Sequence, residues 1–145
     1  MNKKPKITAI IQARMRSNRL PGKIFLPLAG KPALWWIAKR VSLAKLVDEI
    51  IIATTSNTAN DLIWIFGSQE KEKFPASVYR YTRDENNVIG RVLSAARKSK
   101  TDIIVDITGD CPMVDPRHIN YLIDELLNNQ YVVDQPSDNP LLCQQ

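Results

Sequence analysis

Apolar and polar positions along the chain follow two alternating rhythms. "ITAIIQ" (Ile7 to Gln12), "EIIIATT" (Glu49 to Thr55) and "DIIVDIT" (Asp102 to Thr108) are short β-branched runs bounded by polar residues, the pattern of buried strands. "SVYRYT" (Ser77 to Thr82) is a less apolar run of the same kind. Between these runs, apolar residues recur at helical spacing in "KPALWWIAKRVSLAKLV" (31–47), "NTANDLIWIFGSQEKEK" (57–73) and "NNVIGRVLSAARKSK" (86–100). Pro32 suits a first helical turn, and the third helix closes in the basic residues that favour a C-terminus. Asp115 followed by Pro116 predicts an N-cap and first position for a fourth helix through "RHINYLIDELLNN". A fifth strand is expected at "YVVD" (131–134).

Strand and helix thus alternate four times. Strands that are apolar on both faces argue for a parallel sheet covered by helices on each side. The expectation is an α/β fold: one domain over residues 1–131, then a loose tail over 132–145, where two prolines interrupt any periodicity. In such open sheets, ligands bind at the carboxyl ends of the strands, where the strand order reverses. The loops after "ITAIIQ" and after "DIIVDIT" both fall on that edge, so each is a candidate for chemistry.

Composition narrows the class. At 145 residues, 44% hydrophobic and 24% charged, the chain has the balance of one globular domain. No apolar run approaches the roughly 20 residues of a membrane span, and a cytoplasmic location is expected. Two cysteines, Cys111 and Cys143, are too few for a disulfide framework, and Cys111 is expected to pack as a small hydrophobe. A lone histidine, His118, excludes a His-rich metal site.

Charge changes the picture more. The net charge is +5, but residues 1–23 hold seven Lys or Arg and no acid, whereas the rest of the chain is net −2. The basicity is concentrated in "QARMRSNRLPGK", which carries Arg14, Arg16, Arg19 and Lys23 and ends in a Pro-Gly turn. Cations so crowded repel one another unless an anion lies between them. Arginine offers phosphate a planar fork of donors and lysine a compact point charge. The backbone from Ala13 to Gly22 adds N–H groups that a glycine turn can aim at phosphate oxygens. Neither a Walker A loop nor a dinucleotide fingerprint is present. The alternative from charge alone is a solvated basic loop. The second candidate loop, "GDCPMVDP", places the Asp110 carboxylate on a glycine turn after a buried strand. Magnesium that accompanies a phosphate substrate takes only one or two protein carboxylates, so Asp110 suffices, while Asp115 is spent as a helix cap. Together the loops suit phosphoryl or nucleotidyl transfer.

"IIQARMRSNRLPGKIFLPLAGKP", "DEIIIATTSN" and "IVDITGDCPMVDP", in that order and spacing, resemble the cytidylyltransferases that make CMP-activated sugars. The nearest branch is the spore-coat polysaccharide biosynthesis cytidylyltransferases, related to the CMP-sialic acid and CMP-Kdo synthetases. The resemblance spans nearly all of residues 6–130. It implies a Rossmann-like α/β/α sandwich of the nucleotide-diphospho-sugar transferase type, with a mostly parallel sheet. It also implies transfer of CMP from CTP to a sugar or sugar acid, with Mg2+ and release of pyrophosphate, in surface polysaccharide biosynthesis. Carried over by position, Arg14 and Lys23 hold the triphosphate, helped by Ser17, Arg19, Gly22 and the backbone from Ala13. Ala53 and Thr54 lie near the cytosine with Arg91 close by. Thr108 is the base-contacting position, and Asp110 binds the metal. Arg14, Lys23 and Asp110 are the implied catalytic residues. Family members are commonly homodimers.

Three positions depart from the family pattern: Arg16 replaces a small residue, Asn87 an aspartate, and Asp106 an arginine. Family domains also continue beyond 145 residues, into a second acidic metal motif, much of the sugar pocket and the dimer surface. The chain is therefore expected to be the N-terminal nucleotide-binding part of such an enzyme, with the C-terminal part missing. A catalytically inactive nucleotide-binding remnant or partner subunit is the alternative. A nucleic-acid module is disfavoured, because few aromatics interleave with the cations.

Overall fold

The structure, a computed structural model, describes residues 4–69, 74–129 and 141–144, the last four and Gln69 by their backbone. Its centre is a sheet of β1 (Ile7–Gln12), β4 (Glu49–Thr55), β5 (Ser77–Tyr81), β6 (Ile103–Thr108) and β7 (Leu141–Gln144), in the order β5-β4-β1-β6-β7. Every pairing in this sheet is parallel. The order runs outward one way from β1 and then the other, so the reversal falls between β1 and β6, and a crevice opens there at the carboxyl ends.

Alternation along β1 explains the layers. Ile7, Ala9 and Ile11 join the larger core with Leu34, Ile37 and Val41 of α1 (Ala33–Val41), Ile63 of α2 (Asp61–Gln69), and Ile119 and Ile123 of α4 (Pro116–Asn128). Ile10 points the other way, into a smaller cluster with Ile51, Ala53, Ile104, and Val92, Ala95 and Ala96 of α3 (Val88–Ser99). Both sheet faces are covered, as the β-branched runs require. The result is the expected α/β/α sandwich.

The four expected helices form, two of them shortened: α2 begins at Asp61, because Thr58–Asn60 form a separate 3-10 turn. α1 stops at Val41 instead of reaching residue 47, because the chain must turn back towards β4. Ser42, Leu43 and Ala44 make tight turn bonds, and the Asp48 N–H reaches the Ile7 carbonyl at 2.8 Å. Ala44, Leu46 and Val47 still pack on the core, which is why the apolar spacing continued beyond the helix. Pro32 stands one position earlier than expected, as the N-cap of α1. A small hairpin, β2 (Pro27–Leu28) with β3 (Lys31–Pro32), precedes that helix and turns through Ala29 and Gly30, both at positive φ. At α4, the Asp115 carboxylate caps the Arg117 N–H at 2.8 Å with Pro116 at the first position, as the sequence predicts. The bidentate Arg117 guanidinium holds this carboxyl far below the ordinary carboxylate range.

The segment read as a loose tail contains β7, whose backbone pairs Leu141 with Ile103 and Gln144 with Asp106. "YVVD" and the rest of the segment lie outside the described residues. Four apolar or polar residues after a proline are too short a signal to announce a strand; pairing with the free edge of β6 supplies the order. Cys111 is exposed, not packed, because it follows the glycine turn at the open end of the sheet.

Candidate nucleotide site

A cleft of about 350 Å3 opens over the reversal point between β1 and β6. Its wall comes from three places: Gln12 to Arg14 and Ser17 to Arg19 from the loop after β1, Thr108 to Asp110 after β6, and Val88 and Arg91 at the start of α3. Lys23 and Ile24 close it from the turn of 3-10 helix that follows the basic loop. Four cations (Arg14, Arg19, Lys23 and Arg91) thus share the cleft with one carboxylate, Asp110.

The basic loop is shaped by its own backbone. The Ala13 N–H bonds the Ala53 carbonyl at 3.1 Å, and the Gly22 N–H returns to the Met15 carbonyl at 2.8 Å. Gly22 sits at φ 70°, a conformation glycine adopts at no steric cost, and starts the 3-10 turn that presents Lys23. Lys23 Nζ then meets Asp110 Oδ2 at 2.7 Å, across a sequence separation of 87. The lysine and the Thr108 hydroxyl hold the Asp110 carboxyl below the ordinary value, so it is ionised at neutral pH. The two loops are also in backbone contact. A Cβ at Gly109 would collide with the Gln12 carbonyl oxygen, so only glycine lets the strands' ends approach this closely.

Behind the cleft lies a buried polar layer. Arg91 is only 2% exposed; burial first, then the nearby Arg14 charge, lower its pKa, while Asp106 and Glu85 work against them. Its Nε has no protein partner. Asp106 accepts from Gln12 Nε2 at 2.7 and 2.8 Å through its two oxygens. Burial raises the Asp106 pKa, with Gln12 and Arg91 opposing.

Most of the residues expected from sequence converge. Ala13, Arg14, Ser17, Arg19, Lys23, Arg91, Thr108 and Asp110 all line the cleft. Gly22 shapes the loop from its far side and lines a separate surface hollow with Arg16 and Ala59. Ala53 and Thr54 are fully buried at the end of β4, Ala53 inside the α3-side core, so they lie beneath the cleft wall and not on it. The departures also find places. Arg16 faces the separate hollow and leaves the cleft uncrowded. Asn87 caps α3, accepting from the Gly90 N–H at 2.7 Å, a task asparagine and aspartate perform alike. Asp106 gives the Gln12 amide an acceptor and the buried Arg91 a counter-charge. Sequence reasoning missed Gln12, Asn18, Ile24, Val88 and Gly109. Only Gly109 carried a signal, as the turn residue of "TGD".

Fold and site together define an α/β protein of the nucleotidyltransferase type. A family model described as "Cytidylyltransferase" matches residues 8–141. The 3-deoxy-manno-octulosonate cytidylyltransferase of Geobacter sulfurreducens is 33% identical over 126 residues, covering 87% of this chain and 47% of the relative. A solved cytidylyltransferase from Leptospira borgpetersenii superposes with a TM-score of 0.76 at 33% identity, covering 88% of this chain and 51% of that one. The structure of CMP:2-keto-3-deoxy-manno-octonic acid synthetase complexed with CTP gives 0.71 at 27% identity, with 86% and 48% covered. The chain belongs to the cytidylyltransferase family. It spans about half the length of the curated relatives it matches. Among the described residues, no helix is long and apolar enough to cross a membrane.

Proposed function

We propose that this chain carries the CTP-gripping half of a CMP-sugar-forming site, acting on a sugar acid of the 3-deoxy-manno-octulosonate type in surface polysaccharide biosynthesis. One observation carries the reading: loops 87 residues apart bring Lys23 and Asp110 together at 2.7 Å in a cleft that Arg14, Arg19 and Arg91 also line. A nucleoside triphosphate is multiply anionic near neutral pH and offsets this excess of positive charge. The names of the relatives support cytidine and the sugar acid.

The residues present fit a divalent ion such as Mg2+. Among the described residues, no group of three or more His, Cys, Asp or Glu is placed to hold a metal on protein ligands alone. Asp110 is a single ionised carboxylate in a cation-rich cleft, which suits an ion that takes its other ligands from phosphate and water. Held by Asp110, Mg2+ would supply neutralisation of phosphate charge. Arg14 and Lys23 hold the β- and γ-phosphates and neutralise the charge that develops on the leaving group. A hydroxyl oxygen of the sugar acid attacks the α-phosphorus in line. The bond from that phosphorus to the bridging oxygen breaks, pyrophosphate departs, and the hydroxyl proton passes to water. Thr108 and Arg91, which line the same cleft, are the residues this reading assigns to the nucleoside.

A second reading, nucleotide binding without turnover, draws on the half-length match and the single carboxylate. Pyrophosphate release from CTP, assayed with a panel of 2-keto sugar acids, decides between the two. Release that depends on the sugar acid supports transfer. CTP binding without release supports the second reading, and the absence of any CTP binding overturns both.

A further inference from the structure

Asn60 lies outside the cleft, yet it is the side chain that pins the basic loop. It is fully buried, at 0% exposure, in the short 3-10 turn Thr58–Asn60 after β4. Its Oδ1 accepts from the Met15 N–H at 2.7 Å, across 45 residues of sequence. Its Nδ2 donates to Thr55 Oγ1, also at 2.7 Å, at the last residue of β4. The amide therefore spans the gap between the end of a central strand and the middle of the loop, with both ends bonded.

Met15 occupies the pivot of that loop. Its carbonyl is taken by the Gly22 N–H at 2.8 Å, and its side chain packs against the larger core. With Asn60 on its N–H, both backbone polar groups and the side chain of Met15 are fixed. The neighbouring arginines line different hollows: Arg14 the cleft, and Arg16 an adjoining hollow that shares Ser17 and Asn18 with it. Without these anchors the backbone between Arg14 and Arg16 would lose the contacts that hold it in place. A buried polar group that loses its partner is costly, so the pinned orientation is strongly preferred.

We propose that Asn60 is a positioning residue for anion binding: by holding Met15, it keeps Arg14 aimed into the cleft. Asn60 itself does not line the cleft. The ligand half of this inference rests on the reading of the cleft as a polyphosphate grip; the loop half does not.

The test uses the full chain and three variants. Asn60→Leu has similar volume and no polar atoms. Asn60→Asp reproduces both links in the neutral form that full burial favours: its carbonyl oxygen accepts from the Met15 N–H and its O–H donates to Thr55 Oγ1. Thr55→Val removes the strand-side partner of Asn60, together with the longer 3.4 Å bond that Thr55 Oγ1 accepts from the Asn57 N–H. Amide hydrogen exchange read by NMR is expected to show Met15 exchanging about tenfold faster in Asn60→Leu, with Ile10 and Ile11 unchanged, and near-normal exchange in Asn60→Asp. CTP affinity is expected to fall about tenfold in Asn60→Leu while cytidine affinity holds, and to recover in Asn60→Asp. Should Asn60→Leu fail to fold, Thr55→Val is expected to show the same selective changes at smaller amplitude. Unchanged Met15 exchange, or equal losses for CTP and cytidine, overturns the proposal. If wild-type protein binds no CTP, the functional reading fails, and the Met15 exchange rates still decide whether Asn60 pins the loop.

Discussion

Lys23 Nζ and Asp110 Oδ2 stand 2.7 Å apart, joining the loops after β1 and β6 across the cleft that both line. On the function proposed above, phosphate oxygens would take the lysine and a divalent ion the carboxylate. Their side chains are 28% and 47% exposed, so the pair is worth less than about 1 kcal/mol and either partner is readily exchanged for another. Meanwhile it keeps the two sides of the cleft at a working separation.

Lys23→Ala is expected to weaken CTP binding by about tenfold to a hundredfold, the worth of one charge-assisted contact, and to leave cytidine binding unchanged. Isothermal titration with both ligands reads the difference. Equal losses would remove Lys23 from the polyphosphate.

Asp110→Asn is expected to abolish the enhancement of CTP binding by Mg2+ while the fold persists. Titrations with and without the ion check this, and identical Mg2+ responses in both proteins would clear Asp110 of metal binding. Stability carries a second signature. Because Lys23 depresses the Asp110 pKa, the native contribution is present above the unfolded value of about 3.9 and is lost as pH falls through the lower folded value. The difference in melting temperature between wild type and variant should therefore shrink in acid.

Asp106→Asn reverses that sign. Burial raises the Asp106 pKa, so its contribution is fully present below the unfolded value and declines as pH rises through the folded one. The variant should gain stability relative to wild type as pH climbs from below 4 to neutrality. Urea midpoints across that range measure it; a gap that stays constant with pH would place the ionisation of Asp106 elsewhere.

Gly109→Ala is expected to cost about 1–3 kcal/mol, because the added methyl meets the Gln12 backbone and not a flexible side-chain tip. Equilibrium denaturation reads the loss. Wild-type stability in the variant would mean that the loops separate at no cost.

Much of this was legible in the sequence for a physical reason. Thr108 ends a buried strand, Arg14 and Asp110 follow two residues beyond one, and Lys23 closes the loop after β1; the carboxyl edge of a parallel sheet gathers such positions whatever their spacing along the chain. Ala53 and Thr54, which the resemblance sets near the cytosine, lie deeper than the residues that line the cleft, because a resemblance transfers position but not depth. At the end of β4 they are still inside the sheet, covered by the loop whose Ala13 bonds the Ala53 carbonyl. Asn60 was illegible. In "NTAND" it reads as one more polar turn residue, and its bond to Met15 exists only once β4 and the loop after β1 lie side by side. The strand β7 escaped for the opposite reason: its order comes from the edge it joins and not from its own short pattern.

The register of β1 against β6 has a consequence for any shortened version of this protein. Gln12 lies beside Thr108, and the strand supplying that neighbour begins only at Ile103. A fragment cut before that point would keep every cation of the early loop and forfeit the carboxylate and the glycine that face them. Such a piece would be left as a sticky polycation, prone to adhere to any acidic surface regardless of what the intact molecule selects.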